Sequence, residues 1–318
     1  MSEHYPVEIA PPDIKPYRQG NTGVDYAHVF DSGKPGPNVM IQALTHGNEL
    51  CGAIALDYLF KEKFRPRQGK LTLSFANVAA FERFDFDDPD RARYIDEDYN
   101  RVWADDTLDG PRDSIELRRA RALRPFVDAA DFLLDIHSMH EPCRPIMVCA
   151  RSEKSAGFAR RLGTPGDLLI DTGHPAGLRM IERGAFGDPA SPKTAVLIEC
   201  GQHWERSAAE VAIDTMLRFL RVTGAADASW VEPRLRIKPP SRQRLVRVTE
   251  PVVAKSMAFR FAKPFGGLEV VPRAGTVVAA DGDMLWKTPY DDCVMVMPSL
   301  KHLKPGTTMV RLGRYDPD

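Results

Sequence analysis

Asn38-Val39-Met40-Ile41-Gln42-Ala43-Leu44-Thr45-His46-Gly47-Asn48-Glu49 decides how this chain is read. An apolar, partly β-branched run stops at a polar cluster holding a histidine and, three residues on, a carboxylate. From Leu50 to Phe64 the apolar residues Ile54, Leu56, Tyr58, Leu59 and Phe60 recur at helical spacing. The layout is strand, tight loop, helix, with His46 and Glu49 at the carboxyl end of the strand, the end where open α/β sheets bind ligands. A neutral imidazole and a carboxylate on one loop are two of the three ligands of a His₂Glu zinc site, the catalytic kind that keeps a position for water. The pair alone is a weak signal, since a polar turn with a carboxylate at a helix start reads the same way.

Two further strands end in the same style. Asp131 to His137 is an apolar run closing on a histidine, and Ala195 to Gly201 is one closing on Glu199. Parallel strands deliver their carboxyl ends to one edge of a sheet, so His46, Glu49, His137 and Glu199 can converge although far apart in sequence. Two imidazoles and one carboxylate would hold a metal, and the second carboxylate would serve as general base. Each residue also has a plainer reading: His137 as a hydrogen-bonded core histidine, Glu199 as a strand-end partner of an arginine. His140 is a rival to His137, placed second because His137 directly ends its strand. Glu182 and Glu205 are the next carboxylates after Glu199.

The remaining pattern frames these elements. Residues 1–22, with Pro6, Pro11, Pro12 and Pro16, read as an extended arm. Strands are expected over Val24–Phe30, Leu71–Phe75, Pro145–Ala150, Leu168–Ile170 and Gly177–Ile181, and helices over Ser114–Ala130, Lys154–Leu162 and Ser207–Val222. Residues 82–111 are charged and mostly irregular, a length of loop that usually carries function or is disordered. Strands alternating with helices predict an α/β fold, a mostly parallel mixed sheet with helices on both faces. After Gly224 short strands with Pro and Gly at the turns predict a small C-terminal all-β module. The expected division is a catalytic domain over 1–225 and a β-rich capping domain over 226–318.

Composition narrows the partners. Lys and Arg number 43 against 44 Asp and Glu, which argues against a nucleic-acid partner. Residues 226–318 alone hold 15 basic and 10 acidic side chains, so the mild basic excess sits in the C-terminal part. The start of the chain lacks the basic and apolar regions of a signal peptide, and no run approaches membrane-spanning length. Cys51, Cys143, Cys149, Cys200 and Cys293 form no C-x-x-C pair and read as reduced thiols, so a cytoplasmic location without membrane attachment is expected. The sequence leaves a homo-oligomer open.

Arg93-Tyr94-Ile95-Asp96-Glu97-Asp98-Tyr99-Asn100-Arg101 sets two arginines and an asparagine among acids. Its plain reading is a solvated charged loop. Together with Thr-His-Gly-Asn-Glu, Asp-Ile-His-Ser and Ile-Glu-Cys-Gly, however, it resembles the succinylglutamate desuccinylase/aspartoacylase family, a branch of the zinc carboxypeptidase-like fold. The four motifs follow the family's order and span residues 45–201.

Position by position, the resemblance implies one Zn²⁺ per chain on His46, Glu49 and His137, with Glu199 as base and proton shuttle. It implies that Arg93 polarises the scissile carbonyl, that Asn100 and Arg101 hold a substrate carboxylate, and that Asp98 orients its neighbours. It also implies that the C-terminal β-module caps the cleft. One position departs: about ten residues before the catalytic glutamate, where aspartoacylases carry an arginine, this chain has Pro189. Arg183 and Lys193 are the substitutes on the same loop. The expected activity is zinc-dependent hydrolysis of a small, anionic N-acyl amino acid or related carboxylate-bearing amide. The alternatives are a carboxypeptidase of short peptides and a catalytically idle zinc-binding protein.

Overall fold

A computed structural model describes residues 5–171, 173 and 176–317. Its strands in chain order are β1 (Ala27–Asp31), β2 (Asn38–Ala43), β3 (Lys70–Phe75), β4 (Phe132–Met139), β5 (Ile146–Val148), β6 (Asp167–Ile170), β7 (Thr194–Gln202), β8 (Arg244–Val253), β9 (Phe259–Phe261), β10 (Glu269–Val271), β11 (Val277–Asp281), β12 (Met284–Lys287), β13 (Cys293–Val296) and β14 (Thr308–Tyr315). The longer helices are Leu50–Lys61, Ile115–Ala129, Glu153–Leu162 and Arg206–Val222. No helix among the described residues is long and apolar enough to cross a membrane.

Eleven strands form one mixed sheet in the order β1-β3-β2-β4-β7-β5-β6-β8-β14-β13-β10. The central strands β3, β2, β4 and β7 are mutually parallel. The chain leaves β2 through helix Leu50–Lys61 to β3 on one side, then returns through helix Ile115–Ala129 to β4 on the other. Strand order therefore reverses between β2 and β4, and a crevice opens beyond their carboxyl ends at such a switch point. His46 and Glu49 follow β2, and His137 lies near the end of β4, so topology alone brings them together.

Side-chain alternation assigns the two faces. Val39, Ile41, Leu134, Ile136, Val196 and Ile198 point into one core, under helices Leu50–Lys61, Glu153–Leu162 and Arg206–Val222. Met40, Leu133, Ala195 and Leu197 point into the other, under helix Ile115–Ala129. By the same parity Asp135, His137 and Glu199 share this second face. Gly52 lets the first helix sit close to the sheet: a Cβ there would lie 3.0 Å from Ala43 Cβ and 3.2 Å from Ile136 Cβ. Ser114 caps the second, accepting a hydrogen bond from the Leu117 amide at 3.0 Å.

The C-terminal strands pack a third core of Val252, Phe259, Val278, Met295, Val310 and Leu312. Most of them extend the main sheet: β8 pairs in parallel with β6, and β14, β13 and β10 follow antiparallel. A separate three-stranded antiparallel sheet, β12-β11-β9, completes the module.

Several sequence expectations shift. Gly177–Ile181 is not a strand; it makes one parallel bridge, Leu178 to Val102, then a 3-10 turn at Met180–Glu182. Val24–Phe30 becomes Ala27–Asp31, because Tyr26 takes a left-handed conformation with φ 58° and breaks the extended run. His137 lies inside its strand, which continues to Met139. The N-terminal arm has a 3-10 turn at Lys15–Tyr17, where Tyr17 stacks on Phe60 and donates to Asp57 at 2.8 Å. Residues 1–4 of that arm lie outside the described residues. The five cysteines are unpaired as expected, and only Cys143 is not fully buried.

The turn after β2 is tightly confined. Leu44 is buried with φ 58°, an unusual conformation for a branched side chain. The Gly47 amide donates to the Arg93 carbonyl at 3.1 Å. A Cβ on Gly47 would lie against the Phe81 nitrogen and 2.5 Å from the Ala92 carbonyl oxygen, both backbone atoms that cannot rotate aside. Gly47→Ala should therefore cost about 1–3 kcal/mol of stability, as overpacking does. Denaturant unfolding, with metal content measured in parallel, checks this; an Ala variant with unchanged midpoint would show that the turn has room.

Candidate metal and catalytic site

The ligating atoms of His46, Glu49 and His137 lie within 4.8 Å of one another, and all three residues are buried. The Glu49 carboxylate sits between the imidazoles: Oε1 is 2.7 Å from His46 Nδ1 and Oε2 is 3.0 Å from His137 Nδ1. That second contact lacks hydrogen-bond alignment, which leaves Oε2 a buried acceptor without a donor. Two imidazole nitrogens and a carboxylate on one centre are a donor set suited to a divalent transition metal. His140 is excluded from it; its Nδ1 faces Asp90 at 3.3 Å.

The outward ring nitrogens have carboxylate partners. His46 Nε2 is 3.0 Å from Asp98 Oδ1, and His137 Nε2 is 2.8 Å from Asp135 Oδ2. A metal on the inward Nδ1 atoms would leave each Nε2 to carry the proton and donate it outward, which would fix tautomer and ring orientation. Arg93 Nη2, 3.1 Å from His46 Nε2, is then a neighbour rather than a donor to it. Asp135 is held in turn by Thr45 Oγ1, which donates at 2.8 Å and accepts from Gln42 Nε2 at 2.9 Å. Burial opposes charge on His137, but Asp135 and Glu49 outweigh it and hold the imidazole well above its ordinary pKa. The surroundings favour positive charge at this centre.

Glu199 pairs across the ladder with His137, on the same face, with strands about 4.8 Å apart. Its Oε2 is shielded from solvent and has no hydrogen-bond partner. Burial pushes this carboxyl up to about 8, with Glu49 and Asp135 adding to the rise and His137 and Arg93 opposing it. Without a metal cation beside it this group stays largely protonated near neutral pH; a dication held by His46, Glu49 and His137 would favour its ionised, proton-accepting form. Glu182 is instead committed to Arg179 and Arg151, at 2.9 and 3.1 Å.

A cavity of about 440 Å³ opens over these groups. Arg93, Asp98, Asn100, Arg101, His46, Glu49, His137 and Glu199 all line it, so the first-choice candidates from the four motifs surround one space. Arg93 lies 3.4 Å from Asp98 and 3.8 Å from Glu49. Burial raises the Asp98 pKa, but Arg101, His46 and Arg93 together hold it well below the usual carboxylate range. Asn100 is buried and its Oδ1 accepts from the Met180 amide at 3.2 Å, which turns its NH₂ group toward the cavity. Arg101 Nη1 donates to the Asn100 carbonyl at 2.8 Å.

Neither substitute for the arginine absent at Pro189 reaches the cavity. Arg183 pairs with Asp128 at 2.7 Å and Asp105 at 2.9 Å, and Lys193 donates to the Asp128 carbonyl at 2.6 Å. Sequence reasoning also missed Asp135, whose signal was a lone acid in an apolar strand two residues before His137. It missed Glu116 altogether. This carboxylate, fully buried at the start of helix Ile115–Ala129, accepts from the backbone amides of Ile95, Asp96 and Glu97 at 2.7, 3.1 and 3.3 Å, and from Asn77 Nδ2 at 2.9 Å. Those amides belong to the segment that carries Arg93, Asp98 and Arg101.

These features define a hydrolase-like α/β domain with a His-Glu-His metal-binding group beside a free carboxylate. Residues 35–222 match the sequence model of the succinylglutamate desuccinylase/aspartoacylase catalytic domain, and the chain belongs to that family. Solved structures agree in fold. Succinylglutamate desuccinylase from Vibrio parahaemolyticus superposes with a TM-score of 0.66 at 16% identity, covering 88% of this chain and 82% of that one. The Vibrio cholerae enzyme of the same name gives 0.65 at 18%, over 88% and 82%. The product-bound ectoine utilization protein EutE (DoeB) from Ruegeria pomeroyi gives 0.63 at 14%, over 90% and 88%. No protein of curated function matches the chain.

Two outcomes follow from this geometry. His137→Ala should lose bound metal while His140→Ala retains it, measured by elemental analysis after dialysis; the reverse pattern would move the ligand. Glu116→Ala should cost about 3 kcal/mol, because it strands the buried Asn77 amide and three partly buried backbone donors. It should also lower turnover in the remaining folded protein by releasing Arg93 and Asp98. A Glu116→Ala variant with native stability and rate would show that the segment is held elsewhere.

Proposed function

We propose that the chain is a zinc-dependent amidohydrolase that removes the acyl group from a small, carboxylate-bearing N-acyl amino acid or related amide. The observation that carries this reading is the Glu199 carboxylate, unbonded and basic, facing the same cavity as the His46/Glu49/His137 group in a chain of this family. Zinc held by those three residues supplies Lewis acidity, which polarises a carbonyl and acidifies a water.

The chain's own residues do the rest. Glu199 accepts a proton from the attacking water and passes it to the nitrogen of the departing amine, so one carboxylate serves both transfers. Arg93, anchored by Asp98 and Glu49, offers its guanidinium N–H groups to the carbonyl oxygen as negative charge builds there. The NH₂ group of Asn100 and the guanidinium of Arg101 bind a substrate carboxylate and set the amide against Glu199. Asp98 and Asp135 keep the imidazoles in one tautomer and one orientation.

Glu199→Gln should retain metal and substrate affinity but lose turnover by about 10²–10⁴-fold, the range for a general base, toward its upper end because two transfers depend on the group. Single-turnover assays on N-acetyl, N-formyl and N-succinyl amino acids, with dipeptides as controls, provide the test. A Gln variant with near-wild-type rate would place the base elsewhere, and turnover of dipeptides alone would make the protein a peptidase.

A further inference from the structure

We propose that His203 is a specificity residue of the cleft, offering a neutral N–H donor to the acyl half of the substrate, so that the preferred acyl chain carries an uncharged hydrogen-bond acceptor. This inference rests on the deacylase reading for its reaction, while the donor itself is read from the packing of the ring.

His203 comes directly after β7, four residues past Glu199. The turn that carries it is pinned on both sides. Its amide donates to the Met139 carbonyl at 2.8 Å, Gln202 Nε2 donates to the His140 carbonyl at 3.1 Å, and Trp204 Nε1 donates to the Asn48 carbonyl at 3.2 Å. The ring packs edge-on to His140, with centroids 6.1 Å apart. The residue is only 2% exposed, yet it lines the cavity.

One ring nitrogen is already engaged. Nδ1 lies 2.8 Å from Ser138 Oγ, and that buried hydroxyl has no other partner among the described residues. Were the proton on Nδ1, the hydroxyl proton would find no acceptor there. With the hydroxyl donating to Nδ1, both protons are used, and the imidazole proton sits on Nε2. Nε2 makes no hydrogen bond among the described residues, so it is the donor left for whatever enters the cavity. Burial pulls the imidazole pKa down to about 3; Glu49 and Asp90 resist that, and the positive charges of Arg93 and His140 add to it. The ring is therefore neutral around neutral pH. A buried donor without an acceptor is costly, and a ligand that supplies the acceptor recovers that cost.

The register of the sheet puts this donor on the acyl side. Ile146 of β5 stands opposite Glu199 and Val148 opposite Leu197, so β5 runs back toward the amino end of β7. β6 is parallel to β5, and the amide of Asp171, just past β6, donates to the Ala150 carbonyl at 3.3 Å. Asp171 and its partner Arg179 therefore lie on the amino side of Glu199. Asn100 accepts from the amide of Met180, next to Arg179, and Val102 bridges to Leu178, so Asn100 and Arg101 are tied to that same side. His203 lies on the opposite, carboxyl side. A substrate with its carboxylate at Asn100 and Arg101 and its amide at Glu199 extends its acyl chain toward His203. The charged groups near the ring are already engaged, since Lys301 and His140 both face Asp90, at 2.5 and 3.3 Å. A neutral donor beside a closed ion pair suits an ether, hydroxyl or carbonyl oxygen better than a carboxylate.

Isosteric acyl pairs read the preference. N-methoxyacetylglycine against N-butyrylglycine, and N-(3-methoxypropanoyl)glycine against N-pentanoylglycine, place an ether oxygen at two distances from the scissile carbonyl. From wild type to His203→Phe, the ether-to-alkyl ratio of kcat/KM should fall roughly tenfold in one of the pairs, because a site built to hydrogen-bond discriminates against a ligand lacking the partner. Comparing ratios between variants cancels the effect of the ether on the reactivity of the carbonyl. His203→Gln, which restores a neutral N–H, should recover part of the ratio. Equal losses on both members of each pair, or N-succinylglycine outrunning both ethers through the exposed Lys304 on the cover, would overturn the proposal.

The donor is also read without turnover. Long-range ¹H–¹⁵N spectra of the zinc-loaded protein should show His203 neutral and protonated on Nε2, its signals assigned by their absence from His203→Gln; protonation on Nδ1 would overturn the proposal. Should the wild type hydrolyse no acyl amino acid, the deacylase reading fails, and calorimetric titration with the same pairs still decides the role of His203. The ether should then bind more tightly than the alkyl compound in wild type and lose that advantage in His203→Phe, whereas equal binding in wild type overturns the proposal. Circular dichroism melts and metal analysis establish that His203→Phe is folded and loaded. If it is not, His203→Leu carries the same comparison, and an unaltered ratio there overturns the proposal.

Discussion

One carboxylate, that of Glu116, makes an irregular segment behave as part of the framework. Residues 94–98 lie in no strand or helix, yet three consecutive amides among them are captured by this side chain. These amides are only partly buried, but the acceptor is fully buried, and an ionised acceptor forms stronger hydrogen bonds than a neutral one. Tyr99 and Trp103, both fully buried, pin the far end of the segment into the core beneath helix Ile115–Ala129. Arg119 of that helix donates to the carbonyls of Phe75 and Ala76 at 2.6 and 2.8 Å, tying it to the end of β3. Arg93, Asp98 and Arg101 are thus placed by a rigid helix, although none of them lies on it.

Strand parity supplies the second constraint. Asp135 and His137 in β4 and Glu199 in β7 occupy alternate positions, and the β4–β7 register sets His137 beside Glu199. A shift of one residue in that register would send one member of the pair into the opposite, mainly apolar core. The hydrophobic residues between them, Leu134, Ile136, Val196 and Ile198, forbid such a shift because they are buried on the other face. The packing that stabilises the sheet and the alignment of the polar groups are therefore one selection.

Much of this was legible in the sequence. Apolar runs ending at His46, His137 and Glu199 gave the parallel strands, and the order of strands and helices gave their common edge. What stayed hidden involved side chains whose partners are distant. Glu116 looks like an ordinary acid in the first turn of a helix, since nothing local shows that its acceptors face amides some twenty residues earlier. Asp135 reads as an acid in a strand until its neighbour on the same face is known to be a histidine ring. Gly177–Ile181 has strand composition, but Gly177, at φ 145° and packed against the Arg101 carbonyl, and the 3-10 turn at Met180 leave room for a single bridge. His203 gave no signal, because nothing local shows that Ser138 engages one of its ring nitrogens and leaves the other to the cavity.

The continuity of the sheet explains why the C-terminal strands can take part in the cleft. β8 adds to β6 by parallel pairing, so β14 and β13 are fixed relative to β7 through an unbroken series of ladders. The segment after β13 crosses back over the cavity and is fastened there: Lys301 pairs with Asp90 at 2.5 Å, and Ser299 donates to Glu141 at 3.0 Å. Asp90 belongs to the segment leading to Arg93, and Glu141 follows β4. Both walls of the cavity are thus cross-linked to its cover by polar contacts near its rim. A bound molecule must fit between the motif arginines and β14, both of which line the cavity, and this confines it to a small one.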